Sequence, residues 1–183
     1  VTVLIDLDNT CNDFTGLFIK WVEKLGYEFD YDKYDSWDIE DAIVADNPRK
    51  VLAEILDNLK FWDELTPLPG CVEAMRKINS KYTVKIVTIP WKPESAFQNQ
   101  KKKWVRKYFP FISNNQISFE SKKWLVDGDV IIDDKPAILK KSADLKLTIK
   151  HIQPYNEDTD TDYEFSNWSE VPSILRKAEK DLA

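Results

Sequence analysis

The sequence predicts an α/β fold: a Rossmann-like parallel sheet flanked by helices, with a small helical cap insertion. Three observations predict it. Four short apolar runs, "VTVLID" (1–6), "YTVKIVT" (82–88), "DVIIDD" (129–134) and "LKLTIKHI" (145–152), have the length and composition of buried strands. Helical patterns fall between them, and strand alternating with helix implies a parallel sheet covered on both faces. Residues 15–66 break the alternation, carrying helical patterns but no convincing strand. The expected organisation is therefore an α/β core of 1–14 and 67–183, with 15–66 inserted over one edge of the sheet.

The elements follow in order. After the first strand, Phe14, Phe18, Trp21 and Leu25 fall on one helical face, and Leu52, Ile55, Leu56 and Leu59 on another. Between them "YEFDYDKYDSWDIEDAIVAD" is rich in aspartate, but it lacks the turn glycine of an EF-hand, so its acids are expected to face solvent. "PLPG" (67–70) opens a helix carrying Val72, Met75 and Ile78. The run "KKKWVRK" (101–107) suits a solvated helix face better than a nucleic-acid patch. "QISFE" (116–120) is a weaker strand candidate, and "KPAIL" a helix start. "YNEDTDTDYE" (155–164) is expected as a polar loop before a closing helix, "SEVPSILRKAEKDL".

Composition narrows the chemistry. The 183 residues are 43% hydrophobic and 13% aromatic, enough for one domain with a real core. A net charge of -6 argues against a nucleic-acid polymer as partner. No apolar stretch is long enough to cross a bilayer, and Asp6 and Asp8 arrive too early for a signal peptide. Cys11 and Cys71 show no ligand spacing and are expected as buried thiols in a reducing, cytoplasmic compartment. One histidine excludes a multi-histidine zinc site, and four scattered glycines assemble neither a P-loop nor a dinucleotide fingerprint. Carboxylates and lysines remain, and they suit hard-cation chemistry.

Three strand runs end in polar residues. The first ends at Asp6, with Asp8 and Thr10 beyond it; the second at Thr88; the third at Asp133 and Asp134. In an open parallel sheet the carboxyl ends of strands meet at one crevice. Four carboxylates there would repel unless some protonate or a bound Mg²⁺ takes one or two of them as ligands. Taken singly, Asp8 could cap a turn and Asp133 or Asp134 could start a helix. Their recurrence at successive strand ends points to a metal site.

"DLDNT" (6–10 with its preceding strand) resembles the D-x-D-x-[TV] signature of haloacid-dehalogenase-like phosphotransferases. Within that superfamily the chain is similar to the 5′(3′)-deoxyribonucleotidases: "PLPG", "TIPWK" (88–92), Lys101 ahead of "WVRKYF" (104–109) and "IDDKP" (132–136) occur in the family's order. The cap and the C-terminal segment match loosely. The resemblance implies an Mg²⁺-dependent phosphatase acting through an aspartyl-phosphate on a small phosphomonoester, a nucleoside monophosphate. A homodimer is left open. A same-fold phosphatase acting on a sugar phosphate is the alternative, and a non-enzymatic receiver-like module a more distant one.

The resemblance also implies roles. Asp6 is the expected nucleophile and Asp8 the general acid and base. The Asp6 carboxylate, the Asp8 carbonyl and Asp133 are the expected magnesium ligands, with Thr10 and Asp134 supporting them. Thr88 and the backbone near Asn9 are expected to bind phosphate, with Lys92 as a further candidate, and Lys101 to offset charge on the phosphate and on Asp6. Phe14 matches an aromatic position of the family. Trp62, with Trp37, Phe61 and Trp91, could stack on a base, although each taken singly suits a core better. Ile89 stands where the family often has serine.

Overall fold

A computed structural model describes residues 1–183. In chain order, β1 (Thr2–Ile5) leads into α1 (Phe14–Lys24), which is followed by the short strands β2 (Glu28–Phe29) and β3 (Ile43–Val44). The helices α2 (Pro48–Leu56), α3 (Leu59–Glu64) and α4 (Cys71–Lys81) come next. Then follow β4 (Thr83–Thr88), α5 (Ser95–Tyr108), β5 (Ile117–Phe119), β6 (Val130–Asp133), α6 (Pro136–Ser142), β7 (Leu147–His151), β8 (Tyr163–Phe165) and α7 (Val171–Asp181).

Six strands form one sheet in the order β5-β4-β1-β6-β7-β8. Every pairing in it is parallel. β1 lies between β4 and β6, with Ile5 opposite Ile86 on one side and Ile132 on the other. All three are fully buried, as central parallel strands covered on both faces require. This register sets Asp6, Thr88 and Asp133 side by side at the carboxyl ends of adjacent strands.

Three features depart from the sequence reading. The tail of the expected polar loop pairs with β7 as β8, three residues at the sheet edge. An edge strand has one partner, so it needs no continuous apolar run. The insertion also holds β2 and β3, an antiparallel pair of two residues each, too short for alternation to reveal. The face expected to join Leu52 to Leu59 is split into α2 and α3, because Asn58 caps a new helix by accepting from the Lys60 amide at 3.1 Å. Gly70 sits at φ +75° ahead of α4, a left-handed conformation that glycine adopts without a Cβ penalty. Cys11 and Cys71 are buried free thiols. No helix is long and apolar enough to cross a membrane.

Candidate active site

The chain leaves β1 through a tight loop over residues 6–13. The amides of Thr10, Cys11 and Asn12 all donate to the Leu7 carbonyl, and Asn9 adopts φ +56°. Non-glycine residues enter this region infrequently, asparagine more readily than most. The turn is held from outside. His151 Nδ1 lies 2.5 Å from the Asn9 carbonyl oxygen, and Trp168 Nε1 donates to the Thr10 carbonyl at 2.7 Å. The loop thereby turns both Asp6 and Asp8 into one cavity of about 540 Å³, a size that suits a small ligand.

The floor of the cavity is charged. Lys123 follows β5 and is nearly fully buried. Its Nζ lies 2.7 Å from Asp6 Oδ1 and 2.7 Å from Asp133 Oδ2. Asp133 also accepts from the Lys135 amide at 2.9 Å. Asp134 accepts from Thr10 Oγ1 at 2.9 Å on one oxygen and from the Tyr155 hydroxyl on the other. Asp8 is held separately, by Asn12 Nδ2 at 3.0 Å and by an ion pair with Lys101.

Burial pushes the Asp6 carboxyl up to about 6, reinforced by Asp133 and Asp8 and opposed by Lys123. Burial likewise raises Asp134 well above the carboxylate range, with Asp133 and Asp6 adding to it and Tyr155 opposing. For Lys123 burial acts downward, but Asp133 and Asp6 outweigh it and hold the ammonium above its ordinary value.

This donor set fits a hard divalent cation. Carboxylate oxygens of Asp6, Asp133 and Asp134 lie within 4.8 Å of one another. Ionised together, these three carboxylates would exceed the Lys123 ammonium by two negative charges, the charge a divalent ion neutralises.

The expected residues are sorted by this geometry. Asp6, Asp8, Asn9, Phe14, Trp62, Thr88 and Asp134 all line the cavity. Asn9 is nevertheless engaged: its side chain accepts from the Thr15 amide at 2.9 Å and donates to Tyr155 Oη at 3.1 Å. Lys101 pairs with Asp8, and Lys123 is the cation on Asp6. Of the acidic pair, Asp133 is held by Lys123 and Asp134 borders the cavity. Lys92 lies away from it, paired at 2.7 Å with Asp57 of the insertion, which also accepts from Trp91 Nε1 at 2.6 Å.

The upper wall comes from the insertion. Tyr34, Trp37, Leu52, Leu56 and Trp62 line the cavity together with Ile89, Pro90 and Trp91. The Lys135 ammonium lies 3.3 Å from the centre of the Trp37 ring. Phe61 is fully buried and belongs to the core. Sequence reasoning missed Lys123 and Tyr155. Lys123 shares a surface-like "SKKW" with Lys122; the usable signal was its place just after the weak strand, ten residues before Asp133.

Comparison with known proteins agrees with this geometry. Residues 1–180 match the family model described as "5' nucleotidase, deoxy (Pyrimidine), cytosolic type C protein". The chain belongs to this family. A 5'(3')-deoxyribonucleotidase of Clostridium acetobutylicum is 31% identical over 151 residues, 80% of this chain and 79% of that protein. The mitochondrial 5'(3')-deoxyribonucleotidase of Homo sapiens is 31% identical over 143 residues, 74% of this chain and 63% of that protein. In fold, a haloacid dehalogenase-like hydrolase from Streptococcus pneumoniae is similar at a TM-score of 0.65 and 15% identity, over 95% of this chain and 97% of that one. The chain is thus a phosphoric monoester hydrolase with nucleotidase relatives, and its fold is that of haloacid dehalogenase-like hydrolases.

Proposed function

We propose that the chain is a magnesium-dependent phosphatase that hydrolyses (deoxy)ribonucleoside monophosphates through an aspartyl-phosphate on Asp6. The observation that carries this reading is Asp6 itself: a carboxylate on the cavity floor, one oxygen on Lys123, beneath a wall of aromatic rings. An ionised carboxylate needs no base to become a nucleophile.

In the first step an Asp6 oxygen forms a bond to phosphorus and the ester P–O bond breaks. The departing nucleoside oxygen takes a proton from Asp8. In the second step Asp8 removes a proton from water, whose oxygen attacks phosphorus; the Asp6–phosphorus bond breaks and inorganic phosphate leaves. Asn12 and Lys101 orient the Asp8 carboxyl for both transfers. Lys123 offsets charge between Asp6 and the phosphate, and Thr88, at the end of β4, supplies a hydroxyl to a phosphate oxygen. Asp6, the Asp8 carbonyl and Asp134 would hold Mg²⁺, with Asp133 supporting them through Lys123. When bound, the ion neutralises the phosphate charge that develops during transfer.

The insertion, residues 15–66, serves as the cap. Its Trp37 and Trp62, with Phe14 and Trp91, offer apolar faces suited to a nucleobase. Two buried free thiols suit a reducing, cytoplasmic setting.

The test is phosphate release from deoxy- and ribonucleoside monophosphates and from sugar phosphates, with Mg²⁺ and with EDTA, alongside Asp6→Asn. Magnesium-dependent release from nucleotides, abolished in Asp6→Asn, is the expected outcome. Release only from sugar phosphates would retain the mechanism and replace the substrate. Turnover of Asp6→Asn at the wild-type rate would remove the covalent route.

A further inference from the structure

The polar segment between β7 and β8 is wrapped around one buried cation. Lys150 on β7 is 3% exposed. Its Nζ lies 3.3, 3.3 and 3.0 Å from the carbonyl oxygens of Asn156, Glu157 and Thr159, and 3.1 Å from Glu164 Oε2. An ammonium has three donors, and these acceptors use all of them. The far end of the segment is fastened separately, where Asp162 Oδ2 accepts from the Thr148 amide at 2.7 Å and from its hydroxyl at 2.9 Å.

The wrapped segment carries two residues that act on Asp134. The Tyr155 hydroxyl donates to the Asp134 carboxylate. Asn156 Nδ2 donates to the Asp134 carbonyl at 2.8 Å and to the His151 carbonyl at 2.9 Å. Thr10 supplies the donor to the remaining carboxylate oxygen. All these donors are neutral groups, and together they fix the orientation of the Asp134 side chain. Burying an ammonium is costly unless its donors are met, and a branched apolar residue would suit an inner strand at lower cost. A lysine at this position therefore calls for a role beyond filling space.

We propose that Lys150 is a positioning residue for the metal site: by gathering three carbonyls it sets Tyr155 and Asn156 so that Asp134 presents its carboxylate to the cavity as a ligand. This inference rests on the magnesium reading above. Lys150 touches neither substrate nor metal, and it acts through Tyr155 and Asn156.

The test is Mg²⁺ binding by titration calorimetry in the absence of nucleotide, on wild type, Lys150→Met, Tyr155→Phe and Asp134→Asn. Lys150→Met and Tyr155→Phe are expected to weaken Mg²⁺ by about 10–100-fold, as loss of a ligand's supporting partners does. Their kcat should recover at high Mg²⁺ while the nucleotide KM stays near wild type. Wild-type Mg²⁺ affinity in either folded variant would overturn the proposal. Wild-type affinity in Asp134→Asn would instead overturn the metal reading beneath it. If Lys150→Met does not fold, Lys150→Gln retains a donor for the same carbonyls and should bind Mg²⁺ with intermediate affinity. Failure of both to fold would assign Lys150 to global stability and overturn the positioning role.

Discussion

The Lys123 ammonium, nearly fully buried, lies 2.7 Å from Asp6 Oδ1 at the bottom of the cavity. The same nitrogen holds Asp133 on its other side, so one buried cation aligns the nucleophile and ties it to the next strand.

Lys123→Met leaves Asp6, Asp133 and Asp134 without a compensating charge. Breaking a buried pair from one side costs about 3–5 kcal/mol. We expect a loss of that order in EDTA, measured by chemical denaturation, and partial recovery when Mg²⁺ is added. Turnover should fall by roughly 10²–10³-fold, as for removal of one preorganised electrostatic group. Wild-type stability in EDTA would contradict the charge balance.

Trp37 is 47% exposed and lines the cavity, so its contribution to the core is small. Stacking of a base on an aromatic ring is worth about 1–3 kcal/mol. Trp37→Ala should therefore raise KM for nucleoside monophosphates by roughly 5–150-fold, from the same range. KM for a phosphoester without a base should not move. Equal effects on both substrates would assign Trp37 to the Lys135 contact rather than to the base.

Asp57 joins the insertion to the core by accepting from Trp91 and pairing with Lys92. Exposed pairs contribute less than about 1 kcal/mol, so Asp57→Ala should unfold close to wild type. Its effect should appear in substrate binding, because Trp91 loses its anchor beside the opening. A several-fold rise in KM at unchanged kcat is expected; unchanged KM would show that the anchor does not shape the site.

His151 supports the catalytic loop through the Asn9 carbonyl. Burial lowers its pKa below 6.5, opposed by the ring's hydrogen bonds to the backbone of Asn9 and Ser166. The unfolded chain therefore binds the proton more readily than the folded one. The stability contributed by neutral His151 is full above pH 6.5 and is lost as pH falls through the depressed folded value. His151→Gln should flatten this part of the melting-temperature profile between pH 7.5 and 5.5. A profile identical to wild type would place the acid sensitivity elsewhere.

The local chemistry of the chain was decided by sequence alone. Apolar runs too short for helices and bounded by polar residues define β1, β4, β6 and β7, because a strand buried on both faces has no polar side to display. The position of Asp6, Asp8, Thr88, Asp133 and Asp134 at the ends of those runs brings them to one crevice, since parallel strands all end at the same edge. What only the tertiary structure decided is which of several equivalent charges is buried. Lys101 and Lys123 both stand in lysine-rich runs that look solvated, and only three-dimensional packing sets one on Asp8 and the other on Asp6. Asp133, the last residue of β6, and Asp134 just beyond it bring their carboxylates within 4.8 Å of each other, and only the fold determines that Lys123 holds the first while the second borders the cavity. Tyr155 and Lys150 were illegible for the same reason. A polar segment is polar either because water surrounds it or because a buried cation and a strand satisfy it, and residue type alone does not separate the two.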